Sequence, residues 1–269
     1  SVELDGIISD SEWLDAQRFD SFNTVYPFSL KKAPKQTETY ILSNEEGIFI
    51  GFKNYQPAES MNSIKSSRDV MNDSDANVVV IDFANSGVEA FEFVINSSGS
   101  LIDGTFTNGN DLSRDWDGNW MGAVIKEDDY WSSEIFIPWT VATLPLNKSE
   151  YRPIRIMFGR YIYEDYTQTQ WTDSEGNLVS YQTDLIPDGI TAPDDATVTS
   201  KDGDGQNLQR RKVNSSWNSS TTYISREDRK EWSAIGLMGK LRIKKDQKTG
   251  TNWIKMRDIS DTVEEWLVK

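Results

Sequence analysis

Apolar and polar positions alternate in short runs along the first 160 residues, a pattern of strands rather than helices. Thr39–Ser43, the turn Asn44-Glu45-Glu46-Gly47 and Ile48–Phe52 read as a hairpin. Val78–Phe83 is a β-branched run suited to a buried strand, and Ala90–Asn96 sets Phe91, Phe93 and Ile95 on one face. The turn Asn96-Ser97-Ser98-Gly99-Ser100 leads into Leu101–Thr107. Trp120–Lys126 and Tyr130–Ile137 flank the turn Glu127-Asp128-Asp129, Pro138 ends that pairing for want of an N–H, and Arg155–Phe158 supplies a last strand. Early on, Asp10–Ala16 predicts one helical turn, capped by Ser9 or Asp10, with Trp13 facing the core. The expected fold is mainly β: an antiparallel, jelly-roll-like β-sandwich followed by a smaller β-rich C-terminal region.

The pattern changes after about residue 165. Asp184–Gln206, rich in Asp, Thr, Gly and Pro, reads as a connector or long irregular insertion. Beyond it, Ser225–Glu231 reads as one or two helical turns, and Ala234–Lys244 as a strand interrupted by Gly236 and Gly239. Asn252–Asp258 alternates like a strand, and Asp261–Val268 is a strand or a short helix. Charge divides in the same way, with 13 Lys/Arg against 27 Asp/Glu in residues 1–170, and 15 against 16 in residues 171–269. Two regions are therefore expected, 1–165 and 166–269.

Composition narrows the chemistry. A net charge of −15 argues against nucleic acid as partner, since that affinity comes from cations on phosphates. The absence of Cys removes thiolate chemistry and disulfides, and the absence of His removes the Ser-His-Asp triad and imidazole metal sites. No apolar run is long enough for a membrane-spanning helix, and no signal-peptide pattern opens the chain at Ser1. A glycosidase would need two carboxylates about 5–9.5 Å apart across a cleft, which sequence alone does not pair.

Aromatic residues account for 12% of the chain, with ten Trp. In the polar stretch Asp111–Trp120, Trp116 and Trp120 stand beside Arg114, Asp117 and Asn119. Indole rings can cover the C–H face of a pyranose while Asp, Asn and Arg bond its hydroxyl groups; the alternative is that both Trp shield the sandwich rim. Tyr26 and Tyr55 are looser candidates. Calcium is the metal that an oxygen-only donor set allows. Asp73 and Asp75 lie in one acidic loop, Asp103 and Asp111 in another, and neither loop has EF-hand spacing, so solvated turns are the competing reading.

Two stretches carry family likenesses. Leu4-Asp5-Gly6-Ile7-Ile8-Ser9-Asp10-Ser11-Glu12-Trp13-Leu14-Asp15-Ala16, followed by Ile48–Phe52, Val79–Asp82, Asp115–Trp120 and Trp131–Trp139, resembles family 9 carbohydrate-binding modules over roughly residues 1–160. That resemblance implies a sandwich, a polysaccharide ligand and structural calcium. Tyr223–Leu241, with its Gly-Leu-Met-Gly-Lys-Leu segment, and Trp253–Val268 resemble the C-terminal self-cleaving chaperone domain of phage tail appendages. This second resemblance implies a homotrimeric fibre, an extracellular, cell-surface or virion location, and self-cleavage by acidic residues. Glu227, Asp228 and Glu231 are the matching candidates, although their alternation with Arg226, Arg229 and Lys230 is also that of a solvated ion-paired face. The expectation is a non-catalytic carbohydrate-recognition module joined to an assembly or self-processing region. Its alternatives are an autoproteolytic chaperone, or a structural module packing on a membrane barrel or a fibre.

Overall fold

The computed structural model describes residues 2–27, 31–108, 111–144, 151–217, 239–244 and 255–258. Its strands are, in chain order, β1 Gln17–Phe19, β2 Asn23–Tyr26, β3 Thr37–Ser43, β4 Gly47–Tyr55, β5 Ala76–Asp82, β6 Ala90–Asn96, β7 Leu101–Thr107, β8 Asp111–Ser113 and β9 Met121–Lys126. They continue with β10 Tyr130–Pro138, β11 Tyr151–Asp165, β12 Gln168–Thr172, β13 Leu178–Gln182, β14 Thr197–Thr199, β15 Arg210–Trp217, β16 Gly239–Lys244 and β17 Lys255–Asp258. Two compact units are formed, one by Ser1–Ile162 with Val213–Lys269 and the other by Tyr163–Lys212.

In the first unit β1-β3-β4-β10-β9 make a five-stranded sheet, and β17-β16-β11-β5-β6-β7-β8, with β2 and β15, make a nine-stranded one. Neighbours pair antiparallel, and the expected hairpins recur as β3–β4, β6–β7 and β9–β10. Facing side chains form the core between the sheets. Ile41, Ile48, Ile50, Phe52, Ile135 and Ile137 come from one, and Val79, Ile81, Phe93, Ile95, Ile156 and Phe158 from the other. At about 1.5–3 kcal/mol for each large side chain removed from water, this layer is what offsets the entropy of ordering the strands. The protein is thus an antiparallel β-sandwich.

One end of that core is polar. Asn54 and Asn77 exchange amide hydrogen bonds of 2.8 and 2.9 Å, and the Ser133 hydroxyl donates to Asn77 at 2.9 Å. All three are fully buried, so each must find its partner inside the protein.

The N-terminal segment closes the outer side of the five-stranded sheet. The Glu134 carboxylate on β10 accepts the N–H groups of Asp5 and Gly6 at 2.9 and 2.8 Å, and the Trp13 indole N–H at 3.1 Å. Gly6 has φ +88°, the conformation that Asp5-Gly6 suggests. Gly51 on β4 leaves the space that this segment fills: a Cβ there would lie 2.5 Å from Ile8 and 3.0 Å from Trp13. Trp13 is buried, but against this outer face rather than in the inter-sheet core. Residues 10–16 form a turn, closed by Trp13 N–H to the Ser9 carbonyl, and not a regular helix.

Several strands lie outside the sequence expectation. Arg155–Phe158 is the middle of the longer β11, and β14 falls inside the segment read as a connector. In the second unit β12 pairs with β13 and β14, although β12 and β14 consist mostly of Gln and Thr and β13 is short and mixed. Hydroxyl contacts help to hold it, with Thr167 donating to Thr183 at 2.7 Å and Thr169 at 2.9 Å from Thr183. A hollow of about 440 Å³ lies beside Arg211, whose guanidinium donates to Glu164 at 2.8 Å and to Asp184 at 2.9 Å. Ser225–Glu231 and Asp261–Val268 lie outside the described residues.

Glu134→Gln offers one carbonyl oxygen to three donors. It is expected to lower the unfolding free energy by about 3 kcal/mol in urea denaturation, the scale of losing hydrogen bonds to a charged group. Limited proteolysis should then cut within residues 2–16 before the sandwich unfolds.

Candidate functional site

Trp120 is 3% exposed; its indole N–H donates to Asp103 at 2.8 Å, and its ring meets Phe93 edge-on at 5.4 Å. It belongs to the core and presents no face to a ligand, which corrects the reading of an open pair of indoles. Trp116 is half-buried, edge-on to Phe91 and Phe93 at 4.8 and 5.8 Å, and it covers Gly118, where a Cβ would come within 2.3 Å of the ring. Arg114 reaches across Gly104 to pair with the buried Glu92 and donates to the Asp103 carbonyl at 3.1 Å. Asp117 accepts from Arg68 at 3.0 Å, and Asn119 is exposed. The polar stretch is therefore engaged mainly with its own sandwich.

Of the four acids expected to hold calcium, the structure brings no three together among the described residues. Asp103 instead groups with Asp69 and Asp117, their oxygens within 4.8 Å of one another. Arg68 stands among them, 2.5 Å from Asp103, 3.0 Å from Asp117 and 3.7 Å from Asp69. Asp75 is buried and accepts from Gln56 at 2.8 Å, Asp73 is exposed, and Asp111 is exposed with Asn108 at 3.3 Å. Calcium takes six to eight oxygen ligands, so three carboxylates that already share a guanidinium do not fit it as they stand.

A different cluster occupies the outer face of the five-stranded sheet. The register sets Arg18 beside Tyr40, Glu38 beside Lys53, and Tyr55 beside Tyr130. Glu38, 8% exposed, accepts from Arg18 at 2.6 Å, Gln36 at 3.1 Å, Tyr40 at 2.8 Å and Tyr55 at 3.3 Å. Burial pushes its carboxyl up, but the bonds from Tyr40 and Arg18 outweigh this and hold it below the usual carboxylate value. The phenols respond in the opposite sense: burial, then the Glu38 charge, pushes Tyr40 up to about 12 and raises Tyr55 as well. The Lys53 ammonium lies 4.4 Å from the centre of the Tyr130 ring and 5.5 Å from that of Tyr55.

Gln36 and Asp20 extend this face to a cavity of about 310 Å³, lined also by Ser21, Phe22, Asn23 and Lys32. Asp20 lies 3.2 Å from Arg18, so cavity and cluster share one chain of polar contacts. Tyr55 was the one member singled out from the sequence. The signal for the rest was the alternation Gln36, Glu38, Tyr40 and Lys53, Tyr55, which places polar and aromatic groups on the solvent side of adjacent strands. Glu227, Asp228 and Glu231 lie outside the described residues.

Residues 147–266, less than half of the chain, match the family model Peptidase_G2, the IMC autoproteolytic cleavage domain. No curated protein matches the chain. Among solved structures, it is similar to a carbohydrate binding module family 9 (CBM9) from Caldicellulosiruptor kristjanssonii in complex with cellotriose, at 12% identity and TM-score 0.48, with 92% of each chain covered. The same organism's module in complex with glucose gives 11% identity and TM-score 0.46, with 89% of this chain and 90% of that one covered. A putative carbohydrate-binding protein from Bacteroides uniformis gives 11% identity and TM-score 0.40, over 52% of this chain and 71% of that one.

Arg68→Ala leaves three carboxylates facing one another without a cation. The variant should lose about 1.5 kcal/mol of stability in the presence of chelator, because the buried Asp103 loses a charged donor while the arginine it paired with is partly exposed. Millimolar calcium should restore part of its melting temperature while leaving the wild type unchanged, which differential scanning fluorimetry reads directly. Tyr40 gives a pH test. Its ordinary value is 10 and its folded value about 12, so the stability linked to it is fully present below pH 10 and is lost as pH rises towards 12. Urea denaturation over that range should show a steeper decline for the wild type than for Tyr40→Phe.

Proposed function

We propose that the sandwich is a non-catalytic carbohydrate-recognition module and that its ligand lies on the outer face around Glu38. The observation that carries this reading is the grouping of half-exposed Tyr40, Tyr55 and Tyr130 around a buried carboxylate, beside a polar cavity. Aromatic surface suits the C–H side of a sugar ring, while the amide, hydroxyl and charged groups suit its hydroxyl edge. Arg18, Lys32 and Lys53 nearly balance Asp20 and Glu38, which favours a neutral, hydroxyl-rich ligand over an ion. The residues nominated from the sequence for sugar contact, Trp116, Arg114, Asp117 and Asn119, flank a different loop and serve as controls. Calcium is not needed by this reading.

A second reading concerns the C-terminal region. The family match over residues 147–266 supports self-cleavage there, with Glu227, Asp228 and Glu231 as the acids to substitute. This reading extends to a homotrimer outside the cell or on a virion. Among the described residues no helix is long and apolar enough to cross a membrane. Intact-mass measurement of freshly made protein over several days tests the processing: a chain that stays full length rejects it.

For the leading reading, a glycan array followed by affinity electrophoresis should show binding that falls about tenfold in Tyr55→Ala and in Tyr130→Ala, a loss of about 1.4 kcal/mol each. Trp116→Ala should stay within about threefold of the wild type, or about 0.7 kcal/mol. Equal binding by both tyrosine variants and the wild type, or no sugar bound by the wild type, overturns it.

A further inference from the structure

Beneath the tyrosine face lies a fully buried arginine that the proposed recognition does not itself touch. Arg160 projects from β11 into the polar end of the core, with none of its surface exposed. Its guanidinium donates to the Gln36 carbonyl at 2.9 Å, the Thr37 hydroxyl at 3.2 Å, the Tyr55 carbonyl at 3.3 Å and the Gln56 side-chain oxygen at 2.7 Å. These acceptors sit where β3 and β4 meet. The Gln36 carbonyl also accepts the Tyr55 N–H at 3.1 Å, so one cation ties together the two backbone positions that carry two of the donors to Glu38.

The balancing charge is close but is not a direct partner. Gln56 accepts from Arg160 through its oxygen, and its amide nitrogen donates to the buried Asp75 at 2.8 Å. Gln56 therefore relays between cation and carboxylate. Burial costs such a charge several kcal/mol, so the geometry of its acceptors decides whether it is tolerated. A planar fork with two terminal nitrogens reaches four acceptors spread over two strands, whereas a lysine ammonium offers three donors from one point.

We propose that Arg160 is the positioning residue of the recognition face: from inside the core it fixes Gln36 and Tyr55 relative to one another, and so sets the arrangement of donors around Glu38. This rests on the carbohydrate reading for its biological meaning, but not for its test. Arg160→Lys preserves the charge opposite Asp75 and removes the fork. If charge balance were the whole of its role, lysine would rescue it.

The experiment compares wild type, Arg160→Lys and Gln56→Met by nuclear magnetic resonance with tyrosine labelled at the ring carbon bearing oxygen, Tyr55 being assigned through Tyr55→Phe. In Arg160→Lys the Tyr55 phenol should titrate at a lower pH than in the wild type, as it moves away from Glu38. Amide exchange at Tyr55 should quicken at least tenfold. Any oligosaccharide bound by the wild type should bind at least tenfold more weakly. Wild-type titration and exchange at Tyr55 in Arg160→Lys overturn the proposal, whatever the sugar result. A wild type that binds no sugar rejects the carbohydrate reading alone. If Arg160→Lys does not fold, Gln56→Met decides by the same two readouts at Tyr55: changes in the same direction support the proposal, and wild-type values overturn it.

Discussion

A charge taken out of water must be met by donors or acceptors supplied by the fold, and in this chain those partners come from far along the sequence. Glu134 draws in residues 5, 6 and 13, Asp103 draws in Arg68 and Trp120, and Arg160 reaches the ends of β3 and β4. With no cysteine to cross-link distant segments, these buried ionic centres serve as specific long-range ties among the described residues. The apolar layer supplies most of the driving force and rejects a one-residue slip, which would turn Ile135 and Ile137 out of the core. It discriminates less against a slip of two residues in β10, which keeps the same face inside but moves Glu134 away from its three donors.

That division explains what was legible in the sequence. Strands that contribute to the apolar layer announce themselves by alternation or by β-branched runs, as β3 to β7, β9 and β10 do. The Asp5-Gly6 turn was equally readable, because only a residue without a Cβ adopts that backbone cheaply. The strands β12 to β14 were not, since the Gln and Thr of β12 and β14 pair through main-chain ladders and β13 is too short and mixed to show a hydrophobic rhythm. Trp120 was misread for a related reason. Its neighbours in sequence are polar, but the groups that bury it, Phe93 and Asp103, stand on other strands and become neighbours only through the sheet register.

The face around Glu38 was only partly legible. Outward positions on a strand can be read from period two, but which outward residues of different strands adjoin depends on register. Glu38 and Lys53 become cross-strand neighbours, and Tyr55 and Tyr130 do so one row further on. Arg160 was hidden more deeply, because a lone arginine in an apolar run looks like a surface position. Its burial follows from the polar layer that Asn54, Asn77 and Ser133 establish beside it.

The turn after β6 has a practical side. Asn96 is 2% exposed; its side-chain oxygen accepts from the Ser98 and Ser100 N–H groups at 3.0 and 2.9 Å, and its nitrogen donates to the Ile64 carbonyl at 3.3 Å. Asn96-Ser97-Ser98 is also an acceptor sequence for N-linked glycosylation. A glycan attached during synthesis in a eukaryotic secretory host would sit on the nitrogen that faces the Ile64 carbonyl and find no room at this buried side chain. Correctly folded protein from such a host therefore carries a bare asparagine at this position, and removing the sequon by Ser98→Ala would itself strip a hydroxyl from the turn.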